Sequence, residues 1–266
     1  MDVRKYFEYS PDLELTVAQI GINKWDWVFI DAENAKKAQD EMLKNRFDIL
    51  PLEGLGGVEK YYKTESWGDF SKITLQNITR DDSIYYRLSF IDLIRKMLSE
   101  KKYFYFLSDS KEILGLISLN NLNCLAVYNY IYQITASLEL VVSQYLQNLL
   151  EEEFVINVLK KTGDKQANTI ADNFEKLKVS NNENSIFHHL FFPTIGTLLN
   201  YSQELIQRDC PELIKYRKNF CAGNLYWEIR NTVSHPVKPL FVNEESVQKV
   251  NILISDYIEI KNLLSK

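Results

Sequence analysis

The sequence has few of the residues that define several broad classes of protein. Its three cysteines, Cys124, Cys210 and Cys221, form neither a Cys-x-x-Cys pair nor a Cys/His cluster with the spacing of zinc ligands. This argues against a disulfide framework and a structural zinc site, and we expect free thiols in a reducing cytosol.

Glycine, proline and long apolar runs are also scarce. The 266 residues include 9 Gly and 6 Pro, which favours regular elements joined by short loops. No run approaches the length of a transmembrane helix, and residues 1–5 lack the apolar core of a signal peptide. We therefore expect a cytoplasmic protein with no membrane partner.

The chain has no excess of positive charge. Its net charge is −5, which argues against a constitutive nucleic-acid binder. A local basic site remains open, because cations gather between residues 208 and 238, namely Arg208, Lys215, Arg217, Lys218, Arg230 and Lys238.

The N-terminal part alternates short apolar runs with short helical patterns. Residues 25–30 and 47–52 have the pattern of strands, and between them Asp31 can cap a helix with Ala35, Ala38 and Met42 on one face. A second copy follows, in which Ser89 and Asp92 form a capping box and residues 103–107 and 113–118 form a hairpin. We interpret this as an internal repeat of roughly 55–60 residues.

From Leu125 onward the apolar period changes to that of a helix. The first long stripe is Val127, Ile131, Ile134, Leu138, Val141, Tyr145 and Leu149. Further helices are predicted over residues 165–178, 185–207 (interrupted by Pro193), 211–233 and 244–264. The sequence thus predicts an α+β domain over residues 1–123 and an all-α helical bundle over residues 124–266.

A cation and an imidazole lie five residues apart near the end of the chain. Arg230 and Asn231 fall in a predicted helix, and His235 precedes Pro236, which biases it away from the helical conformation. We expect the helix to end near Val233 or Ser234, leaving His235 free to turn back towards Arg230. A fixed cation beside a group that titrates near neutral pH suits chemistry on a phosphodiester. The alternative is an ordinary helix end with a cation in its last turn.

The two N-terminal copies resemble the CBS (cystathionine β-synthase) repeat, which occurs in tandem pairs. The second copy is the better match, since residues 103–107 lead through Gly115-Leu116-Ile117-Ser118 to Asn121 in the pattern of that family. The first copy keeps a strand at residues 47–51, but residues 59–63 replace the expected ending. The resemblance covers about residues 12–123.

This resemblance implies binding of an adenine nucleotide (AMP, ADP or ATP) in the cleft between the repeats, as a regulatory ligand. Ser118 would contact phosphate or ribose, and Asn121 would stand where the family has a ribose-binding aspartate, without its charge. The alternative is that Ser118 and Asn121 only cap the helix that follows them.

The C-terminal part, about residues 125–266, resembles a HEPN domain, a helical bundle with an R-x4–6-H motif between its last two long helices. Here the motif is Arg230-Asn231-Thr232-Val233-Ser234-His235. The resemblance implies a metal-independent endoribonuclease acting as a homodimer on RNA. Arg230, Asn231 and His235 would be the catalytic residues, and no cofactor or metal would be required.

Other readings of these residues stay open. We expect Glu139 to be a solvated carboxylate, with a contact to a motif residue as the alternative, and Tyr226 to pack in the core, with stacking on a base as the alternative. His188 and His189 are expected at a partly buried surface. The whole chain could instead be a non-catalytic, nucleotide-sensing regulatory or assembly protein that uses the HEPN dimer as a binding module. A toxin silenced by modification of a tyrosine after the motif is disfavoured, because that position is Val237.

Overall fold

The chain forms two compact units, Met1–Val127 and Tyr128–Lys266, in a computed structural model that describes residues 15–66, 68–179 and 185–265. The first unit combines strands and helices, and the second contains helices, which confirms the broad fold class. Residues 1–5 and 12–14, which entered the arguments above, lie outside the described residues. In the described part, no helix is both long enough and apolar enough to cross a bilayer.

The N-terminal unit contains two sheets. Its elements are β1 Ile22–Asn23, α1 Ala35–Asn45, β2 Ile49–Gly54, β3 Gly57–Ser66, β4 Asp69–Asn77, β5 Ser83–Tyr85, α2 Phe90–Glu100, β6 Phe104–Ser108 and β7 Ile113–Ser118. One sheet has the order β1-β7-β6-β5 and the other β2-β3-β4. Only the β5–β6 pair is parallel among these named strands.

The predicted repeat is present as a repeated order of elements. Helices α1 and α2 each have 11 residues, and each ends in a left-handed residue, Arg46 with φ 56° and Lys101 with φ 50°. A hairpin follows each helix, β2–β3 in the first copy and β6–β7 in the second. In the second copy Ser89 caps α2 by accepting the N–H of Asp92 at 3.1 Å, as predicted.

The start of the first copy was predicted wrongly. Residues 24–26 form a turn, in which the side chain of Asn23 accepts the N–H of Trp25 at 2.9 Å, and of residues 25–30 only Ile30 pairs as in a strand, through a bridge to Leu52. The cap of α1 is Asn34, which accepts the N–H of Lys37 at 3.0 Å, while Asp31 forms an exposed ion pair. Ala35 is consequently exposed.

The two copies also end differently. Strand β7 turns at Ser118 into a 3₁₀ helix, Leu119–Asn123, whereas β3 continues to Ser66 and is followed by the additional strand β4. Residues 59–63, which stand where the family ending was expected, therefore belong to β3 of a three-stranded sheet. The sequence pattern did not indicate this sheet.

The C-terminal unit is helical throughout its named elements. They are α3 Leu125–Leu149 (which begins just before the division), α4 Glu152–Lys161, α5 Lys165–Val179, α6 Phe192–Tyr201, α7 Gln203–Asp209, α8 Arg217–Phe220, α9 Leu225–Ser234 and α10 Glu244–Leu264. The bounds of α10 agree with the prediction, and α4 was missed. Pro193 lies in the first turn of α6, where proline is tolerated, and does not interrupt a helix. The predicted helix over residues 211–233 is broken by a turn at Gly223, whose φ is 77°.

The buried positions predicted for α3 are correct in the first half of the helix. In the second half the buried positions lie one residue later than predicted. Val127, Ile131, Ile134 and Leu138 are buried. Beyond them the buried side chains are Val142, Leu146 and Leu150 instead of those predicted. The core of the unit closes over this face together with buried residues of α6, α9 and α10.

The close contact between β1 and β7 makes Gly115 a sensitive position. A Cβ on Gly115 would lie 2.4 Å from the carbonyl oxygen of Ile22. We expect Gly115→Ala to lower the free energy of unfolding by about 1–3 kcal/mol, because backbone must move to relieve the overlap. Urea denaturation measures this, with Gly56→Ala as the control, since its nearest neighbour would be a flexible Glu59 side chain at 3.8 Å. Equal stability of the two variants would contradict the β1–β7 register.

Candidate functional site

The R-x4–6-H segment occupies the second half of α9 and the residue that ends it. Tyr226, Ile229 and Val233 bury one face of α9, so that Arg230 and Asn231 lie at the half-buried edge of that face. The helix ends at Ser234, and His235 is exposed with φ −132° and ψ 73°, outside the helical region. The predicted end of the helix before Pro236 is thus confirmed.

A tyrosine one turn before Arg230 anchors the helix. Tyr226 is buried, packs edge-on against Phe220 and also contacts the ring of Phe192. Its hydroxyl donates a hydrogen bond of 2.6 Å to Asp256 of α10, and Asn219 donates to the same carboxylate at 3.2 Å. Core packing is therefore the role of Tyr226, and the helix that carries the motif is fixed against α10.

Glu139 is the acidic group associated with Arg230. It is half-buried on α3 and accepts the backbone N–H of Phe192, at the start of α6, at 3.0 Å. Burial raises the pKa of its carboxyl above the ordinary value, while this hydrogen bond and the positive charge of Arg230 act in the opposite direction. The prediction of a solvated glutamate was wrong, because the N-terminus of α6 draws the carboxylate inward.

The motif side chains are available for contacts. In the part of the chain that the structure describes, no hydrogen bond or ion pair joins the side chains of Arg230, Asn231 and His235 to one another or to other side chains. The remaining polar residues of the segment bond only within α9, Thr232 to the carbonyl of Glu228 at 2.9 Å and Ser234 to that of Arg230 at 2.7 Å. His188 and His189 are exposed in a separate 3₁₀ helix, not partly buried as predicted.

The second candidate site lies in the N-terminal unit and is a cavity of about 160 Å³. Residues of both copies line it, namely Ile22, Asp26, Trp27, Val28, Arg46, Phe47, Asp48, Ile49, Pro51, Leu116, Ser118, Asn120 and Asn121. The volume is small beside the usual range for ligand pockets of about 300–1,000 Å³, so the cavity suits one ring system with polar groups at its rim. Trp27, Phe47 and the other apolar lining residues were not singled out from the sequence.

The structure brings Ser118 and Asn121 together. The Oδ1 atom of Asn121 accepts hydrogen bonds from the backbone N–H of Ser118 at 2.7 Å and from its hydroxyl at 2.8 Å. This is the cap of the 3₁₀ helix, and both side chains also line the cavity. The cap uses the Asn121 oxygen and the Ser118 proton, which leaves the Asn121 amide nitrogen as a donor and the Ser118 oxygen as an acceptor.

No family model matches this chain, and no curated protein or solved structure is significantly similar to it.

The buried carboxyl of Glu139 makes stability depend on pH. A raised pKa means that the folded chain holds this proton more tightly than the unfolded chain, so stability falls as the pH rises above about 4.5, the ordinary value for Glu. Glu139→Gln keeps an acceptor for the Phe192 N–H and removes the cost of burying a charge. We expect the variant to be more stable than the native chain at pH 7, and the difference to vanish at pH 4. Urea denaturation at both pH values checks this, and a variant less stable at pH 7 would contradict it.

Proposed function

We propose that this protein is a metal-independent endoribonuclease of the HEPN type, whose N-terminal CBS-like unit binds an adenine nucleotide as a regulatory ligand. The observation that supports the catalytic part most is the end of α9. It leaves an exposed imidazole one residue beyond the helix and, at the half-buried edge of the same helix, a guanidinium that forms no hydrogen bond or ion pair among the described residues.

The chemistry follows from these groups. RNA carries its own nucleophile, the 2′-hydroxyl. His235 of one chain removes the proton of that hydroxyl, the 2′-oxygen bonds to phosphorus, and the bond from phosphorus to the 5′-oxygen breaks. The leaving 5′-oxygen takes a proton from a second imidazole. The products are a 2′,3′-cyclic phosphate and a 5′-hydroxyl, with no water consumed.

Arg230 and Asn231 bind the phosphate in this proposal. A guanidinium has several fixed donors that match phosphate oxygens, so Arg230 stabilises the charge that develops on them. The amide of Asn231 adds a neutral hydrogen bond. Glu139 and the N-terminus of α6 fix the electrostatic environment of Arg230 from the core side.

Each chain has one motif histidine, whereas the reaction uses a base and an acid. Two chains supply both, which is the reason to propose a homodimer with the two motifs facing each other.

The nucleotide is proposed for the cavity of the N-terminal unit. Its apolar walls suit a planar base, and the free groups of Ser118 and Asn121 are one acceptor and one donor, which matches a ribose hydroxyl. Arg46 also lines the cavity and is the cation that can bind a phosphate there. Asn121 thus serves a ligand through its nitrogen, in contrast to the acceptor role that the family resemblance implies for its position.

Substitution of the motif tests the catalytic proposal. We expect His235→Ala and Arg230→Ala each to reduce cleavage of single-stranded RNA in EDTA at least 100-fold, as the loss of an acid–base group or of a phosphate clamp does. Thr232→Ala is the matched control, since its hydroxyl bonds only to its own helix, and it should keep activity within about threefold. Wild-type chain that forms dimers but cleaves no RNA, with or without AMP or ATP, would favour the non-catalytic binding module.

Dependence on concentration tests the dimer. If two histidines from two chains are needed, specific activity rises with chain concentration in step with the dimer fraction measured by sedimentation. Specific activity that stays constant through the range in which dimers dissociate would show that one chain suffices.

A further inference from the structure

The two copies of the N-terminal unit can be compared position by position. Helices α1 and α2 and the left-handed residues Arg46 and Lys101 are related by an offset of 55 residues. The hairpins keep the same offset, because Ile49 pairs with Lys63 and Phe104 pairs with Ser118. Before the helices the offset is 54, because Ile30 bridges Leu52 and Ile84 pairs with Leu107. Each residue that lines the cavity therefore has a counterpart in the other copy.

The counterparts of the apolar lining are mostly polar. Trp27 corresponds to Asp81, Val28 to Asp82, Phe47 to Lys102 and Leu116 to Tyr61, while the polar Ser118 corresponds to Lys63. A pseudosymmetric second cleft would have to form among these residues and Phe104, the counterpart of Ile49.

These counterparts bind one another. Lys102 forms an ion pair with Asp82, which is only 8% exposed, and also donates to the carbonyl of Asp81 at 2.9 Å. The second oxygen of Asp82 accepts the N–H and the hydroxyl of Thr79 at 2.8 and 2.6 Å. The hydroxyl of Tyr61 lies 3.5 Å from Asp82, which completes the Asp82–Lys102–Tyr61 cluster.

Aromatic rings seal the apolar side of this cluster. The ring of Tyr61 packs against Phe104 and Phe106 at centroid distances of 5.8 and 5.2 Å, and the Lys102 ammonium lies 5.1 Å from the Phe104 ring centre. A ligand ring could enter only by separating Lys102 from Asp82, which would leave a buried charge without a partner.

The residues that line the cavity differ from this cluster in their hydrogen bonding. Trp27 is 8% exposed, and its indole N–H has no hydrogen-bond partner in the described part of the chain, in contrast to Asp82, whose two oxygens are both bonded. We propose that the N-terminal unit binds one planar heteroaromatic ring per chain, in the cavity lined by Trp27 and Phe47, and that the Asp82–Lys102–Tyr61 cluster permanently occupies the pseudosymmetric position. This inference rests on the proposed nucleotide function and adds the number of sites and the group that is recognised.

Isothermal titration of the full chain with AMP tests the proposal. Wild-type chain should bind one AMP per chain, and ribose 5-phosphate, which lacks the ring, should bind at least tenfold more weakly. Phe47→Ala should weaken AMP at least tenfold, while Lys63→Ala, at the counterpart of Ser118, should leave the affinity within twofold. The wild-type stoichiometry and the ribose 5-phosphate comparison need no variant, so they hold even if Phe47→Ala does not fold.

Two AMP per chain, equal affinity for ribose 5-phosphate, or weakening by Lys63→Ala in place of Phe47→Ala would overturn this inference and leave the nucleotide function standing. The absence of any AMP, ADP or ATP binding would overturn both.

Discussion

The candidate active site depends on where α9 stops. Pro236 restricts the residue before it to non-helical conformations, and His235 accordingly leaves the helix at φ −132° and ψ 73°. On a continuous helix, Arg230 and His235 would differ by about 140° around the axis, since five residues turn through about 500°. Because of the proline, the imidazole does not take the direction that it would have on a continuous helix. Tyr226 and its hydrogen bond to Asp256 meanwhile keep the rest of α9 and Arg230 in place.

In the N-terminal unit too, one feature is constant and another varies: the two copies share a backbone arrangement and differ in their side chains. The two copies share helix length, left-handed helix ends and hairpin register, so the repeat is present in the backbone. Their interiors have diverged, one towards an apolar cavity and the other towards a bonded ion pair. The repeat thus supplies two equivalent places, and their side chains make one a cavity and the other a filled position.

Local signals in the sequence predicted those elements whose boundaries are set by local chemistry. The bounds of α10 and the cap at Ser89 were correct, because caps and apolar period agree there. Residues 25–30 have the apolar content of a strand, and yet they begin in a turn in which the Asn23 side chain accepts the N–H of Trp25. Asp31 and Asn34 are both good caps, and a linear pattern does not choose between them.

Contacts between residues far apart in sequence were harder to predict, because a linear pattern does not report them. The burial of Glu139 depends on the N-terminus of α6, which is 53 residues away in sequence. The lining of the cavity draws on residues of both copies, from Ile22 to Asn121, and its aromatic members carry no motif. The candidate motif residues were identified from their spacing, but the role of Tyr226 as an anchor required its hydrogen bond to Asp256.

We propose that the end of α9 cleaves RNA through its own imidazole and guanidinium. The most direct measurement is the analysis of the ends of the RNA products formed in EDTA by the wild-type chain. We expect 2′,3′-cyclic phosphates and 5′-hydroxyls. Products with 3′-hydroxyls and 5′-phosphates would contradict it, because they require an attacking water in place of the 2′-oxygen.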